Sequence, residues 1–171
     1  MRSIAVSVVL TAALTAPICG NPVIAETFIE KSERDELSWV RSNDPDMAEA
    51  MRKARATLPE FLALARAPRP STTDFAVKVA VRDGGNTEFF WITPFKERDG
   101  RFTGSINNVP RWVNTVKFGQ SFDFSEREIA DWLYMDGGKM KGNYTACALL
   151  KREPKEQAEA AKKRLGHECD P

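Results

Sequence analysis

The sequence predicts an α+β domain in which a single antiparallel sheet of about five strands packs on an N-terminal helix and C-terminal helices. Three observations predict this class. Apolar residues recur at helical spacing after residue 44, alternation typical of strands replaces that spacing after residue 74, and a helical run returns before the C-terminus. The strand-like runs are joined by short turns rather than by helices, which favours antiparallel pairing.

Asp44 and Pro45 mark the start of the first helix. The Asp44 carboxylate can accept backbone N–H groups of the first turn, where a proline costs no hydrogen bond. An apolar stripe follows at spacings of three and four residues, formed by Met47, Met51, Ala54, Leu58, Phe61, Leu62 and Ala65. Because Pro59 interrupts the stripe and Thr57 with Glu60 resembles a second capping box, we expect a break or kink near Thr57.

The middle of the chain contains the predicted strands. They are expected at residues 75–81, 88–93, 101–107 and 131–135, with one or two short strands within 115–124 around Gly119 and a short return at 139–141. Turns are expected at 83–86, 96–100 and 136–138. A capping box at residues 125–128 indicates a single helical turn just before the strand predicted at 131–135.

Helical sequence returns at Asn143. Pro154 marks a joint, and the helix that follows runs to Leu165 and ends at Gly166. This last helix is polar nearly all round, so we expect it to lie on the surface. The predicted organisation is therefore a leader at residues 1–25, a lead-in segment at 26–43 with one short strand at 37–40, the α+β domain at 44–152, and a C-terminal helix and tail at 153–171.

The N-terminus has the pattern of an export signal. One positive charge at Arg2 precedes an uncharged apolar run at residues 4–14, helix breakers follow, and Val23 and Ala25 form a V-x-A cleavage site before Glu26. The apolar run is shorter than the roughly 20 residues that a bilayer-spanning helix needs. The alternatives are a buried N-terminal helix, a retained anchor, or a lipid attached at Cys19. We expect cleavage near Ala25 and a periplasmic or secreted protein.

The numbers of basic and acidic side chains indicate which classes of binding partner to expect. Removing 25 of the 171 residues leaves 146, and these carry 24 basic and 24 acidic side chains, because Arg2 is the single charged residue in the leader. A balanced chain has no electrostatic footprint for nucleic acid or for an anionic membrane. No second long apolar run follows the leader, so we expect no transmembrane span.

The search for catalytic and metal-binding patterns gives few candidates. His167 is the one histidine and lies near the C-terminus, where we expect it to be exposed, so we expect no metal ion, no cofactor and no histidine-based nucleophilic site. Asp131 next to Trp132 suggests an alternative, a carboxylate-dependent hydrolase or lyase with Asp131 as base and Asn108 or Lys141 as polarising group. That alternative requires a concave pocket in which the pKa of Asp131 is raised.

Two cysteines remain after removal of the leader, Cys147 and Cys169. An even count in an oxidising compartment indicates a disulfide bond. The alternative is a buried Cys147 with a loose Cys169 at the C-terminus. Geometry decides between them, because the two Cα atoms must approach within about 7 Å.

From residue 44 to about residue 150 the chain resembles the YegJ-like family, known as domain of unknown function 2314. The residues that carry the resemblance are Asp44 to Met47, 75–81, Glu88, Trp91, Phe102 to Gly104, Asn107 to Pro110, Gly119, 129–134, Gly138 and Gly142 to Thr145. The family has no established activity, so the resemblance assigns no role to any residue. Its members look like small bacterial proteins, some with export signals, which implies a Gram-negative periplasm.

The aromatic side chains provide the candidate binding surface. Strand alternation places Trp91 opposite Phe90, and Asp131 opposite Trp132, so some rings must face outward. The candidate site residues are Trp91, Asn108, Trp112, Asp131, Trp132 and Tyr134. We therefore predict a non-enzymatic binding module of the bacterial envelope whose partner is an envelope protein or a small ligand. A purely structural assembly subunit is a further alternative.

Overall fold

A computed structural model describes residues 44–169, which contain three α-helices and one six-stranded antiparallel sheet. The elements are α1 (Pro45–Arg66), β1 (Thr72–Asp83), β2 (Asn86–Arg98), β3 (Arg101–Ile106), β4 (Ser121–Phe124), a 3₁₀ turn (Glu126–Glu128), β5 (Ile129–Asp136), β6 (Lys139–Gly142), α2 (Tyr144–Leu150) and α3 (Lys155–Leu165). The predicted α+β class is confirmed, with six strands rather than about five. The predicted leader and the predicted strand at 37–40 lie outside the described residues.

Helix α1 begins as the sequence predicts. The Asp44 carboxylate accepts the backbone N–H groups of Asp46 (3.1 Å) and Met47 (3.2 Å). A break or kink was predicted near Thr57. The break is wrong, because α1 is one helix with Pro59 inside it. The Thr57 hydroxyl donates to the Lys53 carbonyl one turn earlier (3.0 Å), so it satisfies a backbone acceptor of the same helix and does not cap a new one.

The sheet has the strand order β4-β3-β2-β1-β5-β6, so β1 lies near its centre. Both long strands extend beyond their predicted ends, because the hairpin β1–β2 keeps its pairing through to Asp83 and Asn86. The predicted alternation of faces is confirmed. Phe90 and Ile92 are fully buried on the helix-covered face, whereas Lys78 pairs with Trp91 and Asp131 on the other face.

The core lies between α1 and one face of the sheet. Helix α1 contributes Leu58, Phe61 and Leu62, which are almost fully buried against the central strands. The same cluster contains Val113 and Val116 from the long connection between β3 and β4. The helix and this connection, residues 107–120, therefore cover the core together, and the connection is named the β3–β4 loop below.

The β3–β4 loop replaces most of the strand structure that was predicted within residues 115–124. A single short strand, β4, follows the loop. Gly119 has a positive φ of 75°, a backbone conformation that favours glycine over residues with a Cβ atom. Its N–H donates to the Ile106 carbonyl (2.8 Å). This turn brings the chain back beside β3, so the residues before it form a loop and not a strand.

The C-terminal segment differs from the prediction in two respects. Ala158 and Ala161 of α3 are buried in a small cluster with Ala146 and Leu150 of α2, so α3 is not polar-faced all round. His167 is 2% exposed, not an exposed tail residue. His167 is buried because the segment after α3 pairs with β6 in a parallel bridge between His167 and Met140. In this bridge the Met140 N–H donates to the Gly166 carbonyl.

Candidate functional site

The six predicted site residues do not form one surface. Trp132 and Tyr134 lie on the helix-covered face, where Trp132 stacks on Phe61 with ring centroids 4.9 Å apart. The Trp132 indole N–H donates to the Ala54 carbonyl of α1 (2.9 Å). Trp132 is buried and Tyr134 is half-buried, and both line a cavity of about 310 Å³ beside α1. Because Asp131 is fully buried, residues 131–134 do not form the exposed surface that was predicted.

Asp131 is fully buried and positions helix α2. Its carboxylate accepts the backbone N–H groups of Trp132 (2.8 Å), Tyr144 (3.3 Å) and Thr145 (2.8 Å), and the Thr145 hydroxyl (2.7 Å). Asn143, which precedes the helix, has a left-handed backbone and makes no side-chain cap of its own. Asp131 therefore satisfies the first-turn donors of α2 from a neighbouring strand.

Lys78 is the buried cation beside this carboxylate. Its ammonium donates to the Thr145 hydroxyl (2.8 Å) and lies 4.7 Å from the centroid of the Trp91 ring. Burial lowers the pKa of Lys78 and raises the pKa of Asp131, while the attraction between the two charges opposes both shifts. The Thr145 hydroxyl thus joins a cation and an anion that are both shielded from solvent.

The other residues of the hydrolase alternative are not placed to assist Asp131. Asn108 is buried, and its Oδ1 accepts the Trp91 backbone N–H (2.7 Å). Lys141 pairs with Tyr134, and paired residues share a face, so Lys141 belongs to the face opposite Asp131. With every carboxylate oxygen of Asp131 already accepting donors and no part of the side chain exposed, this geometry gives the hydrolase alternative no support.

Glu88 holds the β3–β4 loop, a structural role that the sequence patterns did not indicate. This glutamate is 2% exposed and faces the core side of β2, where a charged side chain requires partners. Its carboxylate accepts the backbone N–H groups of Arg111 (3.0 Å), Trp112 (3.0 Å) and Val113 (3.2 Å). A single acidic residue among the apolar side chains of a predicted strand was the available signal.

Other polar side chains fasten the same loop to the β1–β2 hairpin. The Asp83 carboxylate accepts the Asn114 N–H (2.8 Å), and the Asn86 amide donates to the Trp112 carbonyl (3.4 Å). At the start of the loop, the Asn107 N–H donates to the Trp91 carbonyl (2.8 Å). The β3–β4 loop is therefore held along its length.

The loop presents the exposed apolar surface of the described chain. Among residues 44–169, the large hydrophobic side chains that are exposed are Val109 (61%), Trp112 (51%) and Phe118 (62%). All three belong to the β3–β4 loop, and Trp112 is the one predicted site residue that is largely exposed. We name Val109, Trp112 and Phe118 the loop patch.

A cavity of about 570 Å³ lies between α1, β1, the β3–β4 loop and the 3₁₀ turn. Its lining includes three arginines, Arg55, Arg82 and Arg127, together with Thr115 and Gln120 of the loop. Guanidinium groups beside hydroxyl and amide groups can bind carboxylates or phosphates. The sequence did not indicate this cavity, because its arginines come from three separate elements.

Cys147 and Cys169 form a disulfide bond, with the sulfur atoms 2.11 Å apart and the Cα atoms 5.6 Å apart. The alternative of a loose Cys169 is therefore wrong. His167 lies beside the bond, and a thiolate or imidazole ligand atom from each of the three residues falls within 4.8 Å of the others. The sequence analysis predicted no metal site here, because Cys147 comes from α2 and lies 20 residues before His167 along the chain.

The fold and its site define a small α+β protein with an exposed apolar loop and a disulfide-linked C-terminal segment. The chain belongs to the family described as "Uncharacterized protein conserved in bacteria (DUF2314)", whose model matches residues 44–168. It is 36% identical over 119 residues to "Uncharacterized protein YegJ" of Escherichia coli (strain K12), covering 70% of this chain and 76% of that protein. No solved structure matches it.

Membership of this family confirms the resemblance seen in the sequence and assigns no activity. Within residues 44–169, no helix combines the length and the apolar character needed to cross a membrane. The functional conclusion must therefore come from the chemistry of the exposed and buried groups.

The buried pair of Lys78 and Asp131 generates a stability prediction. Replacing Asp131 with Asn lowers the free energy of unfolding by about 3–5 kcal/mol, because Lys78 then remains buried without an opposite charge. Adding Lys78→Met recovers part of that loss, because the uncompensated charge is removed. Urea denaturation of the purified proteins measures both effects.

The matched control is Asp99→Asn, at a side chain that is 92% exposed in the turn between β2 and β3. It is expected to change stability by no more than about 0.5 kcal/mol. Equal effects at Asp99 and Asp131 would contradict a role for Asp131 in holding α2.

Proposed function

We propose that this chain is a non-enzymatic binding module of the bacterial envelope that recognises a protein partner through the loop patch. The observation that carries the proposal is the concentration of the exposed large apolar side chains of residues 44–169 in one loop. Single exposed apolar residues are common on protein surfaces, whereas several on one fixed loop favour an interaction site.

The way in which the loop is held supports recognition by a prearranged surface. Glu88 binds the backbone N–H groups of Arg111, Trp112 and Val113, so the main chain that carries the indole ring is held in place before any partner arrives. A loop that is already ordered loses less conformational entropy on binding. Tryptophan is also among the residues most often found at energetically dominant interface positions.

The charge of the loop favours a partner with acidic groups. Residues 107–120 contain Arg111 and Lys117 and no Asp or Glu. Both residues are exposed, and each directly precedes a residue of the loop patch in the chain. A complementary partner would offer an apolar pocket for the Trp112 ring with carboxylates at its rim.

An assembly subunit would use the same patch, since both functions require the same kind of surface. The two differ in what the partner does and not in how it is bound. Identifying the partner at the loop patch therefore separates them.

Site-specific photo-crosslinking tests the proposal in the bacterium that makes the protein. A benzophenone amino acid at position 112 is expected to give a stoichiometric adduct with one envelope protein. The same group at position 98 is the control, because Arg98 is 93% exposed and lies at the other end of β2. In the background of Val109→Ser with Phe118→Ser, we expect the yield at position 112 to fall about tenfold.

Equal adducts at positions 98 and 112, or no protein adduct at position 112, would contradict a binding role for the loop patch. Thermal unfolding of each variant checks the fold. We expect little change, because these side chains are largely exposed in the free protein.

We also propose that the chain is exported and cleaved after Ala25, on the basis of the V-x-A pattern before Glu26. Cell fractionation with N-terminal sequencing is expected to recover, outside the cytoplasm, a 146-residue protein that begins at Glu26. Replacing Ala25 with Arg is expected to leave the longer precursor uncleaved. Recovery of the full-length chain in the cytoplasm of wild-type cells would contradict export.

A further inference from the structure

We propose that Cys147, His167 and Cys169 form a zinc site when the disulfide bond between the two cysteines is reduced. Two thiolates and one imidazole are a ligand set that zinc prefers. In the described chain they come from α2 and from the segment after α3, and their ligand atoms lie within 4.8 Å of one another. The site is independent of the loop patch.

The orientation of His167 is the first observation that supports the site. The ring is buried, and its Nε2 lies 2.8 Å from the Gly142 carbonyl oxygen. A carbonyl only accepts, so Nε2 carries the proton and donates it. Nδ1 is then the basic nitrogen of the neutral ring. A histidine ligand is typically oriented by such a hydrogen bond from its other nitrogen to a carbonyl.

The distances from Nδ1 are the second observation. The sulfur of Cys147 lies 3.7 Å from Nδ1 and 3.5 Å from Nε2, and the sulfur of Cys169 lies 4.0 Å from Nδ1. Zinc–sulfur bonds of about 2.3 Å and zinc–nitrogen bonds of about 2.0 Å in a tetrahedron separate the ligand atoms by roughly 3.5–3.8 Å. The distances from the two sulfur atoms to Nδ1 are therefore already close to those in a tetrahedral zinc site.

The disulfide bond itself excludes zinc from the oxidised protein. Sulfur atoms that are bonded to each other have no thiolate charge with which to bind a metal ion. Reduction by a dithiol transfers two electrons and two protons to the bond, giving two thiols and an oxidised dithiol. The thiols then release two protons as they bind one zinc ion, and the Cys147 sulfur can rotate from beside the ring toward Nδ1.

An adjoining cavity gives zinc a route of entry and a fourth ligand. It has a volume of about 450 Å³, and both His167 and Cys169 line it. Water in this cavity can complete the tetrahedron. The cavity also contains Lys139 and Lys162, whose ammonium groups pair with Glu168 (2.9 Å) and Glu159 (2.9 Å).

The two states hold the C-terminus in the same place. The disulfide joins α2 to the segment after α3 in the oxidised protein, and zinc bound by the same residues would join them in the reduced protein. The domain would thus keep its C-terminal packing in either redox environment.

Metal titration of the full chain tests the proposal. The protein is reduced with a non-coordinating phosphine, freed of metal, and titrated with zinc against a chromogenic chelator. We expect a one-to-one complex that binds at least tenfold more tightly than zinc binds to the reduced Cys169→Ser variant. Cobalt in place of zinc is expected to give the near-ultraviolet band of cobalt–thiolate charge transfer and the visible bands of a tetrahedral ion.

The oxidised wild-type protein is the matched control and is expected to bind zinc no better than Cys169→Ser. His167→Gln, which removes only the imidazole, should keep the cobalt–thiolate band and weaken zinc binding about tenfold. Circular dichroism of each reduced protein verifies the fold. Equal zinc affinity in reduced wild type and Cys169→Ser, or a cobalt complex without thiolate charge transfer, would overturn the proposal.

Discussion

The carboxylate of Glu88 fixes the part of this molecule on which its proposed function depends. A carboxylate that is 2% exposed must have its oxygens satisfied, and here three successive backbone N–H groups of the β3–β4 loop do so. The loop in return supplies Val113 and Val116 to the core. One buried acid thus connects the sheet, the core and the exposed Trp112.

Three acidic residues, among them the Asp131 that suggested catalysis in the sequence, serve the architecture. Asp131 binds the first turn of α2, Glu88 binds the β3–β4 loop, and Asp44 caps α1. The three carboxylates bind backbone N–H groups in three separate parts of the chain: α2, the β3–β4 loop and α1. The side chains of the loop patch are exposed and apolar, which is why the proposed function is recognition.

Local patterns predicted most of the fold. The cap at Asp44, the alternation along β1 and β2 and the glycine turns are short-range signals, and each was confirmed. The predictions of structure were wrong where the tertiary structure overrides what the local sequence favours. Thr57 resembles a cap but bonds within its own helix, and His167 resembles a loose tail residue but is buried by pairing with β6.

The candidate site was less predictable for the same reason. Alternation with a period of two predicts which strand residues share a face of the sheet. It does not predict which of the two faces a helix covers. Trp132 and Tyr134 were therefore assigned to the surface although α1 covers them, whereas Trp112 lies on a loop whose position depends on Glu88. Pairing between Lys78 and Asp131 required the register of β1 with β5, which only the structure provides.

Hydrogen exchange in Glu88→Gln tests most directly whether this carboxylate holds the loop. The substitution keeps the shape of the side chain but turns an amide N–H₂ toward backbone donors. If Glu88 holds the loop, the amides of residues 111–113 exchange at least about tenfold faster in the variant than in wild type, while those of central β1 change little. Unchanged exchange at residues 111–113, or uniform acceleration that includes β1, would contradict this role of Glu88.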